Sequence, residues 1–298
     1  MKTLILNIQG GVGKNIVATV PVKQYKKENP TTEIIIITPY GFIWDNNPNI
    51  SEVLHPEKTH SLYQRRVKNK EVIISASDPY QEQEYILKDK HLADIWCEIL
   101  DVEREEEMPE LFFTDKEKEE AERVLKKEGP VFMIQTNGGA EGFQKYPISW
   151  ARDLPLNTAQ EIVDEMNKKG YRTIHLRRKD QPQLENTEYV EVSLRILLYM
   201  ITLANKTLLI DSVFQHALAA QGKKSVVCWI VNDPKNLGYD IHENIIAPEQ
   251  EGHRHHLESY LERDDITGAI HQYPYNTTEI FPKEEILKLL DSKASIAR

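Results

Sequence analysis

The amino-acid sequence predicts an α/β protein built from two Rossmann-type, doubly wound domains that face a central cleft. Three observations carry that expectation. Short apolar runs of strand length alternate with helical patterns along most of the chain, the signature of parallel sheets wound by crossovers. Each half contains a strand that runs into a glycine loop and then a helix: residues 3–8 before Gly10-Gly11-Val12-Gly13, and residues 131–135 before Asn137-Gly138-Gly139. Between the halves the composition breaks at residues 102–109, VEREEEMP, a stretch too charged to bury and read as a linker. The expected division is 1–110 and 111–278, with a C-terminal segment, 279–298, whose helix packs back on the first domain.

In chain order, residues 3–8 form the first strand, and the glycines after it permit a tight turn. Residues 15–27 read as a helix turning Ile16, Val20 and Tyr25 inward, irregular near Pro21. Residues 33–38, EIIIIT, form a buried strand; residues 46–49 turn, and a short strand follows near Val53. Residues 71–75 form a further strand and 91–100 an amphipathic helix. Beyond the linker, residues 115–127 form a charged helix with i,i+4 pairs. Strands follow at 131–135, 172–176, 208–210 and 225–230, with helices at 159–169, 194–203, from Phe214 to a stop at Gly222, and at 284–290.

Composition narrows the function classes. A net charge of −10 argues against broad non-specific binding to nucleic acid or to anionic membranes. Cys97 and Cys228 lie in apolar surroundings and are too few for a disulfide scaffold or a zinc site, which fits a reducing cytoplasm. No apolar run reaches membrane-spanning length, and the opening MKTLILNIQGG reads as a strand rather than a signal peptide. Stable membrane insertion, a metal and a bound cofactor are all unexpected.

The chemistry-bearing residues cluster at strand ends. Asp211 and Ser212 close the 208–210 strand; Ser212 can cap the next helix, whose first amides favour an anion, and Gln215 and His216 lie within its first turns. The alternative for His216 is a satisfied core histidine. In QGGVGKN, residues 9–15, Gly11 and Gly13 allow close backbone approach and Lys14 can neutralise phosphate. Arg177-Arg178-Lys179 follows the 172–176 strand, and Tyr146, Trp150 and Arg152 form an aromatic–basic group. His253, His255 and His256 read as a solvated or partner-facing patch.

Two family resemblances follow from these residues. The 9–15 loop resembles that of partition-type ATPases, which implies a nucleotide switch. Gln9 replaces their leading lysine and Asn15 the hydroxyl that holds magnesium, and strand 34–37 ends without a carboxylate. A second resemblance covers nearly the whole chain. Thr19, Pro21, Asn29-Pro30 and Ile34, then Asn47-Pro48-Asn49-Ile50 with Val53, resemble the opening of the heptosyltransferase-type glycosyltransferases, family nine, of GT-B fold. Asn137-Gly138-Gly139, Asp211-Ser212 with His216-Ala217, Lys224-Ser225-Val226-Val227 and Asn232-Asp233-Pro234 follow that family's order. There is also a looser likeness to divergent, partly phage-borne relatives.

The glycosyltransferase resemblance implies a nucleotide-sugar donor as substrate, held by the second domain without metal, and a hydroxyl acceptor on the first. The acceptor left open is a glycan, a glycolipid or, less favoured, a modified base in DNA. It implies donor-phosphate contacts at Gly11, Gly13, Asn137, Gly138, Lys145, Asp211, Ser212 and Gln215, with Lys14, Asn15 and His216 at the reaction centre. Alignment on Pro21 sets Asn15 where the family carries its catalytic aspartate, and a neutral amide cannot take a proton. Asp45 and Asp78 stand as substitutes, and a nucleotide-sugar-binding protein without transferase chemistry is the remaining alternative.

Overall fold

The computed structural model describes residues 2–105, 108–126, 129–139, 152–248, 259–262 and 280–292. Its first sheet has the order β3-β2-β1-β4, from β1 (Thr3–Asn7), β2 (Glu33–Ile37), β3 (Glu52–Leu54) and β4 (Val72–Ser75). All its pairings are parallel, with Thr3 opposite both Glu33 and Val72. The crossover from β1 to β2 carries α1 (Val12–Val17) and α2 (Thr19–Glu28), and α3 (Gln83–Ile86) and α4 (Leu92–Ile99) follow β4.

The expected helix 15–27 is two helices. The first starts earlier, inside the glycine loop at Val12, and the chain breaks at Ala18. Pro21 explains the break: it sits in the first turn of α2, where the N–H it lacks would have had no partner within the helix.

The second half opens with α5 (Asp115–Leu125), started by a capping box between Thr114 and Glu117. Then follow β5 (Val131–Ile134), α6 (Leu156–Lys168), β6 (Arg172–His175), α7 (Leu194–Met200), β7 (Lys206–Ile210), α8 (Val213–Ala220), β8 (Val226–Trp229), α9 (Pro234–Leu237) and β9 (Glu243–Ile246). The sheet order is β6-β5-β7-β8-β9, again parallel throughout. Gly170 and Gly222 end α6 and α8 at φ of 86° and 62°, the left-handed region that favours glycine. β9 has no counterpart in the sequence reading: it is an edge strand of four residues, half open to solvent, too short and mixed to announce itself.

One apolar core runs between the sheets. It joins Leu4, Leu6, Ile16 and Trp96 of the first half to Leu209, Phe214, Ala217 and Trp229 of the second, with α1 packed on α8. A second core fills the far face of the second sheet, where α6 and the terminal helix Lys283–Asp291 pack. That placement corrects the expected one. Ile286 and Leu290 are buried against the second sheet, and Lys169–Asp291 and Lys283–Glu161 pairs tie the helix to α6. The third core, Ile5, Ile35, Ile37 and Leu62, is thin. Among the described residues the 55–70 segment lies over it, with Tyr63 and Ile74 more than half exposed at 58% and 61%. Both cysteines are buried and free, as their apolar neighbours suggested.

Candidate active site

In open parallel sheets, ligands meet the carboxyl ends of strands where the winding reverses. The two strand orders put one such point in each half. In the second sheet it lies between β5 and β7. Gln135 follows β5, Asp211 and Ser212 follow β7, and the Ser212 hydroxyl donates to Gln135 Oε1 across the gap. Ser212 also caps α8, accepting from the Phe214 amide at 3.4 Å. Ser212 and Val213 keep partial exposure, so the tip of α8 is accessible. Asp211 is buried and accepts from Asn232 Nδ2, which fixes the turn leading to that tip.

In the first sheet the reversal lies between β1 and β4. Gln9, Gly10 and Gly11 follow β1; Ala76, Ser77 and Asp78 follow β4. A polar crevice of about 170 Å³ opens between them, lined by Gln9, Lys14, Ser77, Asp78, Gln81 and Trp96 among others. On the outer side of the same glycine loop, an apolar trough of about 920 Å³ runs down the thinly covered sheet face past Ile5, Leu62, Tyr63 and Ile74. The two reversal points meet through α1 and α8. A Cβ added at Gly13 would lie 3.0 Å from His216 Cδ2 and 3.7 Å from Val213 Cα, so a side chain here would press on the His216 ring.

Several residues expected at the reaction centre have other work. Asn15 is fully buried; its Oδ1 accepts from Thr38 (2.8 Å) and Trp44 (3.2 Å), and its Nδ2 donates to the Gly11 carbonyl (3.0 Å). It ties the glycine loop to the end of β2 and lines neither cavity beside that loop. Lys14 does not point at the lobe junction. Its ammonium lies 2.5 Å from Asp78 Oδ1 and over the Tyr80 and Trp96 rings, and burial lowers its pKa against the opposing pull of Asp78. His216 is buried, its Nδ1 2.9 Å from the Tyr239 hydroxyl. Burial, then the neighbouring His91 and His242, pushes it down to about 3, so it carries no charge for a phosphate at neutral pH.

Gln215 points away from the tip of α8, donating to the Leu237 carbonyl at 2.8 Å. Asn137 and Gly138 sit at the end of β5 but are engaged: Asp153 accepts from the Asn137 side chain (2.8 Å) and the Gly138 amide (3.0 Å). Arg152 packs against Gly138, where an added Cβ would meet it at 2.5 Å. Arg178 bonds the Gly139 carbonyl at 2.6 Å and Lys179 pairs with Glu191. Gly11 remains exposed as the cap of α1. Asp45 lies exposed beyond the 3-10 turn Gly41–Trp44. Lys145, Tyr146, Trp150 and the His253–His256 patch lie outside the described residues.

Apart from His216, sequence reasoning missed the residues that join the halves. His91, at the start of α4, and His216 and His242 of the second half surround Tyr239, with ring centroids 5.5, 5.6 and 6.0 Å from it. Arg195 of α7 is buried and donates to the Phe42 carbonyl at 2.6 Å, to the Phe112 carbonyl and to Glu117. The charge pattern of α7 gave one weak signal, a lone arginine within an otherwise apolar helix.

This is a two-lobed α/β architecture, with strand-end cavities in the first lobe and an accessible helix tip at the strand ends of the second, the layout of a GT-B protein. Solved structures agree. The chain is similar to a glycosyl transferase family 9 protein from Veillonella parvula DSM 2008, with 12% identity and a TM-score of 0.67 over 96% of this chain and 95% of that one. It is similar to the E. coli ADP-heptose lps heptosyltransferase II at 14% identity, with a TM-score of 0.63 over 97% and 98%. It also resembles TibC, an iron-containing dodecameric glycosyltransferase from enterotoxigenic E. coli H10407, at 13% identity and 0.62 over 83% and 63%. No protein-family model and no curated protein matches the chain. The fold is therefore the GT-B-like fold of the family-9 glycosyltransferases, as the sequence resemblance implied.

Proposed function

We propose that this protein is a glycosyltransferase that moves a sugar from a nucleotide-sugar donor to a hydroxyl acceptor, with inversion and without metal. The observation that carries the reading is the end-to-end likeness to a family-9 glycosyl transferase and an ADP-heptose heptosyltransferase, over 95% or more of each chain. The donor diphosphate lies at the tip of α8, where the Ser212–Gln135 contact marks the reversal point of the second sheet. The first amides and dipole of α8 stabilise the charge that develops on the leaving diphosphate. Helix amides do this without a cation. The acceptor approaches from the first lobe, beside the glycine loop. Of the acceptors left open, one with an apolar portion fits best, because the trough that begins at Gly10 and Gly11 is lined mainly by aliphatic and aromatic side chains.

The partition-type ATPase reading loses its support: Lys14 is committed to Asp78, and Thr38 at the end of β2 bonds Asn15. A binding protein without transferase chemistry is favoured by one observation, the buried and neutral Asn15.

Calorimetry with ADP, UDP and GDP in the presence of a chelator tests the donor site. Wild type should bind at least one of them metal-free. Ser212→Asp keeps the helix cap but sets a negative charge where the diphosphate docks, and should weaken binding by about tenfold or more. Binding that needs magnesium, or that Ser212→Asp leaves intact, would refute the assignment.

A further inference from the structure

Resting on the reading just given, we propose that Asp78 is the catalytic base, and that Lys14 positions its carboxylate. The geometry points there for four reasons. Asp78 stands at the reversal point of the first sheet, the strand-end location where an acceptor would meet the glycine loop. It is the one carboxylate among the described residues lining either cavity beside that loop.

Its orientation is the third reason. Oδ1 accepts from both Lys14 Nζ (2.5 Å) and the Tyr80 amide (3.0 Å). Both contacts fall on one oxygen, so Oδ2 is left to receive a proton, and the side chain keeps 30% exposure. Lys14, 3% exposed and held over the Tyr80 and Trp96 rings, cannot swing away without leaving a buried cation unpaired. The carboxylate is thus fixed in one rotamer by a partner that is itself fixed. Fourth, Lys14 directly follows Gly13, which touches His216 and Val213 at the start of α8. The backbone that carries the base's partner is therefore continuous with the glycine that packs on the helix of the proposed diphosphate site.

In the step this implies, an acceptor oxygen forms a bond to the anomeric carbon while the bond from that carbon to the diphosphate breaks. The bonding pair leaves on the nucleoside diphosphate. The hydroxyl proton passes to Asp78 Oδ2 and from there to water. Asn15, neutral and enclosed, does not take part in it.

The test measures release of nucleoside diphosphate from a panel of ADP-, UDP- and GDP-sugars, with water as acceptor, and carries forward the best wild-type substrate. Asp78→Asn preserves size and the cap on Tyr80 but not basicity. It should lower kcat by about 100-fold or more, leaving KM and the affinity for nucleoside diphosphate within about twofold. Asp78→Ala should regain turnover, about tenfold, when formate supplies an external carboxylate. The double variant Lys14→Met/Asp78→Asn removes the unpaired cation and should be as inactive as Asp78→Asn while melting at least as high. Asp78→Asn with wild-type turnover would overturn the proposal, as would an Asp78→Ala protein that binds nucleoside diphosphate yet gains nothing from formate. A wild type that binds nucleoside diphosphate and turns over no sugar of the panel would sink the transferase reading itself, and Asp78 with it. A wild type that binds none would sink the donor site first.

Discussion

Acidification should unfold this protein well above the pH at which its carboxylates protonate. Four histidines set the effect, three of them buried and His91 partly buried. Burial is the main cause in each case: it pushes His91, His175 and His242 down to about 4 and His216 to about 3, from an ordinary value near 6.5. In His91 the nearby Arg104 adds to the shift; in His175 Arg177 does. The folded state keeps these rings neutral, whereas the unfolded chain protonates them below about pH 6.5. The unfolded state therefore binds more protons between pH 6.5 and the folded values. Stability is full above that window and is lost as pH falls through it. Each group costs about 1.4 kcal/mol per pH unit there, so the step from pH 7 to pH 5 costs about 1.8 kcal/mol per histidine and about 7 kcal/mol for four. A domain's whole stability is roughly 5–15 kcal/mol. Because His91 comes from the first half and His216 and His242 from the second, the junction around Tyr239 loosens first. Urea titrations followed by far-UV circular dichroism at half-unit steps from pH 8 to pH 4, with histidine ring NMR titrations in parallel, measure this. A stability that is flat from pH 7 to pH 5, or four ring signals titrating near 6.5 in the folded protein, would refute the reasoning.

Three further outcomes follow from single contacts. Arg195→Met takes the donor from the Phe42 and Phe112 carbonyls and leaves Glu117 with its Thr114 contacts alone, and should cost about 2–3 kcal/mol in a urea melt. Asn15→Asp restores the acidic residue that the family resemblance leads one to expect. It should nonetheless destabilise by about 2–4 kcal/mol without raising turnover, because it buries a charge and takes the donor from the Gly11 carbonyl; a melting temperature at or above wild type contradicts this. Gly13→Ala raises the helix propensity of α1 yet forces a methyl to within 3.0 Å of the His216 ring, which Tyr239 holds in place. It should lower the melting temperature by a few degrees, equivalent to about 1–2 kcal/mol.

Much of the architecture was legible before folding. Runs such as the four isoleucines 34–37 and VFMI are apolar at every position because both faces of a parallel strand are covered. The glycines after strands and helices announced turns that the backbone then required, as at Gly170 and Gly222. The motif order that resembles family nine was legible too, and the fold agrees with it. The roles of individual side chains were less so. Asn15 and Asp78 are both polar residues near strand ends, and nothing local says which faces inward. Asn15 lies on the buried side of α1, opposite Thr38 and Trp44; Asp78 lies 64 residues beyond Lys14 and meets it only because β4 pairs with β1. The terminal helix was misplaced for a related reason. Its amphipathic pattern requires an apolar partner surface, and either sheet offered one until α6 left a complementary strip.

The amino-acid sequence by itself determined two parallel α/β lobes, the loops that end their strands and the buried hydrophobic strand cores. These depend on periodicity and on backbone preferences that act over a few residues. Only the tertiary structure decided which lobe the last helix covers, that His91, His216 and His242 would share one buried junction, and that Lys14 would serve a carboxylate rather than stand free. Those outcomes depend on strand order, which brings distant residues within hydrogen-bonding distance and leaves no trace in the spacing along the chain.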